Sequence, residues 1–499
     1  MSFNSWIPLI IVASSLVPGI LIFFLNENQA RTRTALNLFG ALLKVALVFG
    51  VYFGITRGEE YEFRYEIAVD LEFLLRVDLL SLLFAILSAL LWVLTTLYAI
   101  GYLEGSPYRR RFFGFFSICV TASTGIALAG NVVTFFIFYE FLTLATYPLV
   151  VHRGTEAALR AGRTYLWYTI GGGTVLFVGV VWLFVLAGSV EFGDTDSLAA
   201  AAETGRGQLR ILFWVLLAGL GVKAALVPLH GWLPVAMVAP APVSALLHAV
   251  AVVKAGVFGI VRLVYDIYGI ELAASLDVLN PLAALAAITI IYGSLRALTQ
   301  NDLKKRLAYS TVSQLSYITL GVAVAGAGMT TGALVHLVHQ GLMKITLFFC
   351  AGNLAETLGV HKISELNGIG RRMPLTMISF TLAAMGMIGL PPMAGFVSKW
   401  YLGTGAIEAG HTWVVPVLLA SSALNAAYFL PIVYAAWFRE PDREWKVTRT
   451  ARYLETPWIL LLPAATTALL SLGTGVLAAG ELSPLALARQ IAEIWYSNP

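Results

Sequence analysis

Nine ionisable side chains lie inside runs that are otherwise apolar: Glu140, Lys223, His230, His248, Lys254, His336, His339, Lys344 and Lys399. Carboxylate, ammonium and imidazole groups can hand protons to one another. Imidazole does so by binding at one nitrogen and releasing at the other. Glu140, in NVVTFFIFYEFLTLATYPLV, is the clearest mid-run carboxylate, and Lys223 is its natural partner on a neighbouring run. A pair of this kind by itself explains no more than a staple between helices, so the chemical reading rests on the series continuing.

It continues through GVKAALVPLHGWLPVAMVAPAPVSALLHAVAVVKAG, residues 221–256. Lys223 and His230 are about two helical turns apart and would share a face on a regular helix. Pro228 between them removes a backbone donor and clashes with the preceding turn, so a break that opens backbone to water beside the lysine is expected. His248 and Lys254 are separated by ~9 Å along a helix axis and do not share one face. GALVHLVHQGLMKITLFFCAG adds His336, His339 and Lys344. MGMIGLPPMAGFVSKW then repeats the proline break, at Pro391 and Pro392, before Lys399. The HxxH pair supplies only two ligands, with no Cys or carboxylate nearby to complete a metal site, so neither a metal nor another cofactor is expected.

The elements that hold these groups must be membrane helices. The chain of 499 residues is 59% hydrophobic and only 12% charged, against roughly 25% charged residues in an ordinary soluble domain. Apolar runs long enough to cross ~30 Å of hydrocarbon recur near 5–25, 33–55, 78–103, 111–129, 131–151, 161–188, 210–232, 240–265, 275–298, 304–325, 331–355, 374–403, 412–438 and 456–480. That predicts fourteen spans. The ten-residue alternation of a closed barrel is absent, so the spans are read as helices.

Loop charges orient them. With the N-terminus outside, the inner loops hold Arg31, Arg33, Arg109, Arg110, Arg111, Arg153, Arg160, Arg163, Arg296, Lys304, Lys305, Arg306, Lys362, Arg371, Arg372, Arg439, Arg443, Lys446, Arg449 and Arg452, which is 20 of the 32 Lys and Arg. The outer side and its helix ends keep Arg57, Arg64, Arg76, Arg206, Arg210, Arg262 and Arg489. This follows the positive-inside rule and predicts a multi-pass cell-membrane protein with both termini outside. The first run lacks a basic n-region and a cleavage site and is read as a retained span. No polar interval is long enough for a soluble domain. The net charge of +4 is small and implies no nucleic-acid partner.

The remaining five lysines, Lys44, Lys223, Lys254, Lys344 and Lys399, all fall inside spans. A charge at mid-bilayer costs about 2.5–3.5 kcal/mol on insertion scales and by default marks an ion path. For Lys44, which has no motif around it, snorkelling to the interface or a structural ion pair explains the position equally well. The triple glycine at 171–173 follows no strand and precedes no Lys-Ser/Thr, so it reads as close helix packing rather than a phosphate loop. Cys119 and Cys350 are far apart and form neither a cluster motif nor a disulfide framework.

In order, the chain carries VDLLSLLF, FYEFLTLATYPLV, KAALVPLHGWLP, PVSALLH…VKAG, NDLKKRLAYSTVSQLS, HQGLMK and GLPPMAGFVSKW. This set resembles the antiporter-like membrane subunits shared by respiratory complex I, membrane-bound hydrogenases and Mrp-type antiporters, over about residues 70–440. The resemblance implies an all-α polytopic fold of about fourteen helices. It implies N-terminal helices in 1–110, inverted five-helix repeats in 111–268 and 269–438 with helices 7 and 12 broken, and a last helix and tail in 439–499. By position Glu140 resembles the ion-pair glutamate, Lys223 the modulated lysine, His248 with Lys254 the central relay, Lys344 part of the eleventh-helix motif, and Lys399 the terminal group of a second channel. Val235, Val238, Ala241 and Ser316 depart from common family residues. No long C-terminal lateral helix is expected after the fourteenth span, which argues against the longest, distal type of subunit. The resemblance implies a subunit not catalytic alone, which moves protons, with Na+ as a second ion, beside other membrane subunits in a lipid bilayer. An Mrp D-type subunit is the first reading. A pumping subunit of a complex-I-like quinone oxidoreductase or hydrogenase is the alternative. An inert scaffold would not explain the buried lysines, and a polytopic transferase would need a catalytic loop and a carboxylate–metal site that the sequence lacks.

Overall fold

The computed structural model describes residues 3–69, 71–188, 191–445 and 455–497, without the side chains of 203 and 204. Lys446, Arg449 and Arg452 of the predicted inner loops lie outside the described residues. Two helices open the chain, α1 (Phe3–Phe23) and α2 (Ala30–Ile55). An antiparallel hairpin follows, β1 (Glu62–Ala68) and β2 (Leu71–Arg76), with Glu62 opposite Arg76. Next come α3 (Leu79–Tyr102), α4 (Arg109–Leu128), α5 (Val132–Val150) and α6 (Glu156–Ala187). Side-chain caps fix three of these starts. Asp78, Asn131 and Thr155 each accept from the backbone N–H three residues on, which supplies a partner that lipid cannot.

The seventh span is broken. Helix α7 (Asp196–Ala224) ends where Ala225 turns left-handed at φ 57°, and the chain loops past Pro228 before the short α8 (Trp232–Val235). The freed groups find partners: Trp232 Nε1 donates to the Val222 carbonyl at 2.7 Å, and the Val227 N–H to Thr289 Oγ1 at 3.2 Å. The eighth span runs as α9 (Ala241–Ala245), a π-turn (Leu246–Val250), α10 (Val252–Arg262) and a second π-turn (Leu263–Tyr268), wholly buried inside the protein.

After α11 (Ile270–Ser275) come α12 (Leu279–Leu298), α13 (Leu303–Val324) and α14 (Ala327–Leu358), which is buried from Met329 to Leu354. The short α15 (Ile369–Arg372) leads into a second broken span. Helix α16 (Pro374–Ile388) stops at Gly389, φ 94°, and α17 (Ala394–Glu408) resumes after Pro391 and Pro392. Then α18 (Val414–Phe438), α19 (Trp458–Val476) and α20 (Pro484–Ser497) close the chain. Thirteen described helical spans are long and apolar enough to cross a membrane. The α16–α17 pair, each half too short alone, makes the fourteenth expected crossing. The protein is a multi-pass membrane protein, helical apart from the β1–β2 hairpin, with the predicted breaks at the seventh and twelfth spans.

Polar contacts gather the basic loops on one face. Arg111 donates to the His152 carbonyl at 3.0 Å, Arg371 pairs with Glu440 at 3.1 Å, and Arg443 pairs with Glu365 at 3.3 Å. The hairpin belongs to the opposite face, where Arg64 and Arg76 clamp it to Glu191, the Arg64–Glu191 contact being 2.7 Å. Two elements exceed what the apolar runs foretell. The hairpin stands where a loop is expected, although Phe63 and Tyr65 alternate with charges. The expected tail contains a further helix, α20, which is amphipathic and buries Leu485, Ala488 and Ile491.

Candidate functional site

Lys223 occupies the last turn of α7, so the break leaves its ammonium beside the helix's carbonyl end, where a cation is favoured. It is buried, donates to the Tyr139 carbonyl, and its Nζ lies 3.4 Å from the Tyr139 ring centroid. Glu140 on α5 brings Oε1 to 4.0 Å from Nζ, an ion pair too long for a hydrogen bond. That oxygen is buried with no hydrogen-bond partner among the described residues. Space for the carboxylate comes from the triple glycine: a Cβ on Gly173 would collide with it, and one on Gly172 would collide with Val222. Gly171 faces open space.

Gly256 does the same for the broken end of α7, whose backbone at Lys223 and Ala224 packs where a Cβ would stand. On the same helix α10, Lys254 is fully buried and donates to the Leu337 carbonyl of α14 at 2.6 Å. The next group is the neighbour of Leu337. His336 Nδ1 lies 2.8 Å from Ser398 Oγ, and Ser398 adjoins Lys399 on α17. Lys399 folds back across the second break and donates to the carbonyls of Met387 at 3.0 Å and Ile388 at 2.8 Å, and to Ser422 Oγ at 2.9 Å. Its ammonium thus sits on the carbonyl end of α16 as Lys223 sits at the end of α7.

Contacts therefore join Glu140 to Lys223, Lys254 to α14 beside His336, and His336 to Ser398 beside Lys399, while α10 packs on the broken end of α7 between the first pair and the rest. His248, Lys344 and His230 stand apart from these contacts. His248 lies in the first π-turn, stacked on Phe348 with centroids 4.5 Å apart. Lys344, two turns beyond His336 on α14, donates to Ser310 Oγ and, at 3.2 Å, to the Leu307 carbonyl of α13. His230 sits in the α7–α8 break and meets Tyr292 edge-on at 5.0 Å rather than sharing a face with Lys223. His339 is buried one turn from His336.

Residues 129–425 match the family described as NADH:quinone oxidoreductase/Mrp antiporter, TM, and residues 66–113 match NADH-Ubiquinone oxidoreductase (complex I), chain 5 N-terminus. The first match spans more than half of the chain. This chain belongs to that antiporter-like family of membrane subunits. It is similar to NADH-quinone oxidoreductase subunit N of Desulforudis audaxviator, 36% identical over 406 residues, 79% of each chain. It is also similar to the D-type subunit of the Na(+)/H(+) antiporter of Bacillus subtilis, 27% identical over 466 residues and 92% of each chain. Its fold matches a chain of the Mrp complex from Dietzia sp., with a TM-score of 0.86 at 22% identity, covering 100% of this chain and 98% of that one.

In this antiporter-like subunit the sequence reading misses neutral polar groups between the charged ones. Tyr317 on α13 has its ring 5.3 Å from that of His336 and 5.4 Å from the Lys399 ammonium. Gln314 and Gln340 are fully buried, and neither amide meets a protein partner among the described residues. The same holds for both ring nitrogens of His248 and His339 and for His336 Nε2. These partnerless polar atoms lie on α13, α14 and the π-turn that precedes α10, and buried atoms of this kind are ordinarily satisfied by ordered water. A search of the sequence for charges alone could not find Tyr317 or the glutamines. A search for any polar residue in the most buried spans would have found them.

Proposed function

We propose that this subunit carries protons along the row Glu140, Lys223, Lys254, His336 and Lys399, with His248, His339, Lys344 and His230 serving the connections to the basic face. The observation that carries this reading is the stepwise contact of buried cations with carbonyls and hydroxyls across five helices, beside polar atoms that require water. At 4 Å and an effective dielectric of about 20, engaging or releasing the Glu140–Lys223 pair is worth about 4 kcal/mol. A charge crossing 100 mV exchanges about 2.3 kcal/mol. Movement of that one carboxylate is therefore sufficient to gate a proton step against the membrane potential.

The assembly we favour is an Mrp-type monovalent cation/proton antiporter, with this chain in the D-type position beside other membrane subunits in the cell membrane. The end-to-end match in length with the Bacillus protein supports it. A second reading, a pumping subunit of a redox-driven complex, is supported by the higher identity to the Desulforudis protein. Loop charges favour external termini in both, and the two broken spans favour two repeat units. Reconstituting the purified complex in liposomes tests these readings. A sodium gradient that drives proton movement with no electron donor supports the first. Proton movement only on addition of a donor supports the second, and none under either condition refutes proton transport.

A further inference from the structure

Outside the row just described, Lys44 on α2 is a buried lysine without an assigned role. It is 1% exposed, and no carboxylate among the described residues pairs with it. Its ammonium donates to Ser15 Oγ of α1 and Thr124 Oγ1 of α4, both at 2.7 Å, and lies 5.1 Å from the Trp92 ring centroid of α3. A lysine without a counter-charge is a poor staple, because neutral side chains of similar volume would hold three helices without burying a charge.

The polar contacts continue from Lys44 in two directions. Towards the basic face, Thr121 Oγ1 lies 2.9 Å from Ser15 Oγ and 3.0 Å from the Ser117 carbonyl. Ser117 Oγ donates to Asn37 Oδ1 at 3.0 Å, and Asn37 Nδ2 donates to the carbonyl of Arg33 at 3.0 Å. Arg33 stands one turn inside α2 at the face that carries Arg109, Arg110 and Arg111. The side chains from Ser15 to Arg33 in this series are all buried. Two steps end on backbone carbonyls rather than on side chains, Thr121 to Ser117 and Asn37 to Arg33, and a single water at each would complete the relay.

Towards the protein centre, Ser123 Oγ donates to the Val250 carbonyl at 3.2 Å, and Val250 closes the π-turn that holds His248. Ser88, Trp92 and Thr96 recur every four residues along one face of α3, all buried. Their polar atoms meet no protein partner among the described residues. Helix α3 also contacts the π-turn and α14. Groups that need water therefore line the space between Lys44 and the histidines.

From this geometry we infer that Lys44 is a proton-exchanging station on a lateral branch, linking the basic face at Arg33 to the His248 π-turn through α1, α2 and α4. The inference rests on the proton-transport reading above, and the two are separable by experiment. Proton movement is followed in liposomes holding the assembled complex, with wild type, Lys44→Met, Lys44→Arg, Thr121→Val and Lys223→Ala compared at equal assembly. Arginine keeps the charge and does not release its proton. Lys44→Met, Lys44→Arg and Thr121→Val are each expected to slow transport by about tenfold, equivalent to one pKa unit. Lys44→His, which can exchange a proton, is expected to retain transport with its pH profile moved to lower pH. Wild-type rates in Lys44→Arg, or in both Lys44→Met and Thr121→Val, would overturn the branch. Lys223→Ala then reports on the main reading: lost transport leaves that reading standing, and unchanged transport removes both.

Discussion

The Glu140 carboxylate stops 4.0 Å from the Lys223 ammonium, and the ammonium directs its hydrogen bond to the neighbouring Tyr139 carbonyl instead. The pair is close enough to feel its own charge and loose enough to separate. Glu140→Gln keeps the volume and removes that charge. It is expected to lower proton movement by up to about a thousandfold, the equivalent of losing the pair's ~4 kcal/mol, and Lys223→Ala is expected to abolish it. Assembly, read by co-purification of the partner subunits, stays intact in both. Transport at wild-type rates in the two variants would contradict the roles given to them.

Gly173 tests the same contact without touching a charge. Gly173→Ala puts a methyl group where the carboxylate now stands, so Glu140 must turn away from α6. Transport is expected to fall with little loss of stability. Gly256→Ala meets backbone at Lys223 and Ala224 instead, and backbone cannot swing aside. It should cost about 1–3 kcal/mol, the usual range for overpacking, seen as a lower thermal midpoint of the detergent-solubilised complex. A neutral result for Gly256→Ala would mean that the broken end of α7 is free to shift.

Where lipid or proline imposes the answer, the sequence is readable. Fourteen crossings follow from run length, and both breaks follow from Pro228 and the Pro391–Pro392 pair. The triple glycine reads as packing, which holds for Gly172 and Gly173. What the sequence hides depends on tertiary contact. The π-turn at His248 has no residue signature, since its backbone leaves the α-helical region only at Ala251, φ −120° and ψ −84°. Lys44 looks isolated in sequence because its partners Ser15 and Thr124 are 29 and 80 residues away. Tyr317 reads as one more aromatic in an apolar span.

Tyr317 bridges the two halves of the row, between His336 and Lys399. Tyr317→Phe preserves the ring contact with the ammonium, worth about 0.5–2 kcal/mol, and removes only the hydroxyl. Tyr317→Leu removes both. If the ring positions Lys399, the Leu variant loses transport and the Phe variant keeps it. If the hydroxyl takes part in the relay, both lose it to a similar degree. Normal rates in the Leu variant would exclude either part for this residue.

The hairpin clamp carries a pH dependence that lies outside the membrane spans. Burial works against ionisation of Glu191, but hydrogen bonds and charge from Arg64 and Arg76 outweigh it and hold the carboxyl below its ordinary value. A carboxylate depressed in the folded state stabilises the fold above its unfolded pKa, near about 4.3 for glutamate. That contribution is lost as pH falls through the lower folded value. The clamp should therefore be constant from neutral pH down to about pH 5 and weaken below about pH 4. The arginines are partly exposed, so its worth is on the order of 1 kcal/mol. Glu191→Gln should lower the thermal midpoint at pH 7, and the gap from wild type should close in acid. A gap that stayed open at low pH would mean that Glu191 acts through packing at its bridge to Asn131 rather than through charge.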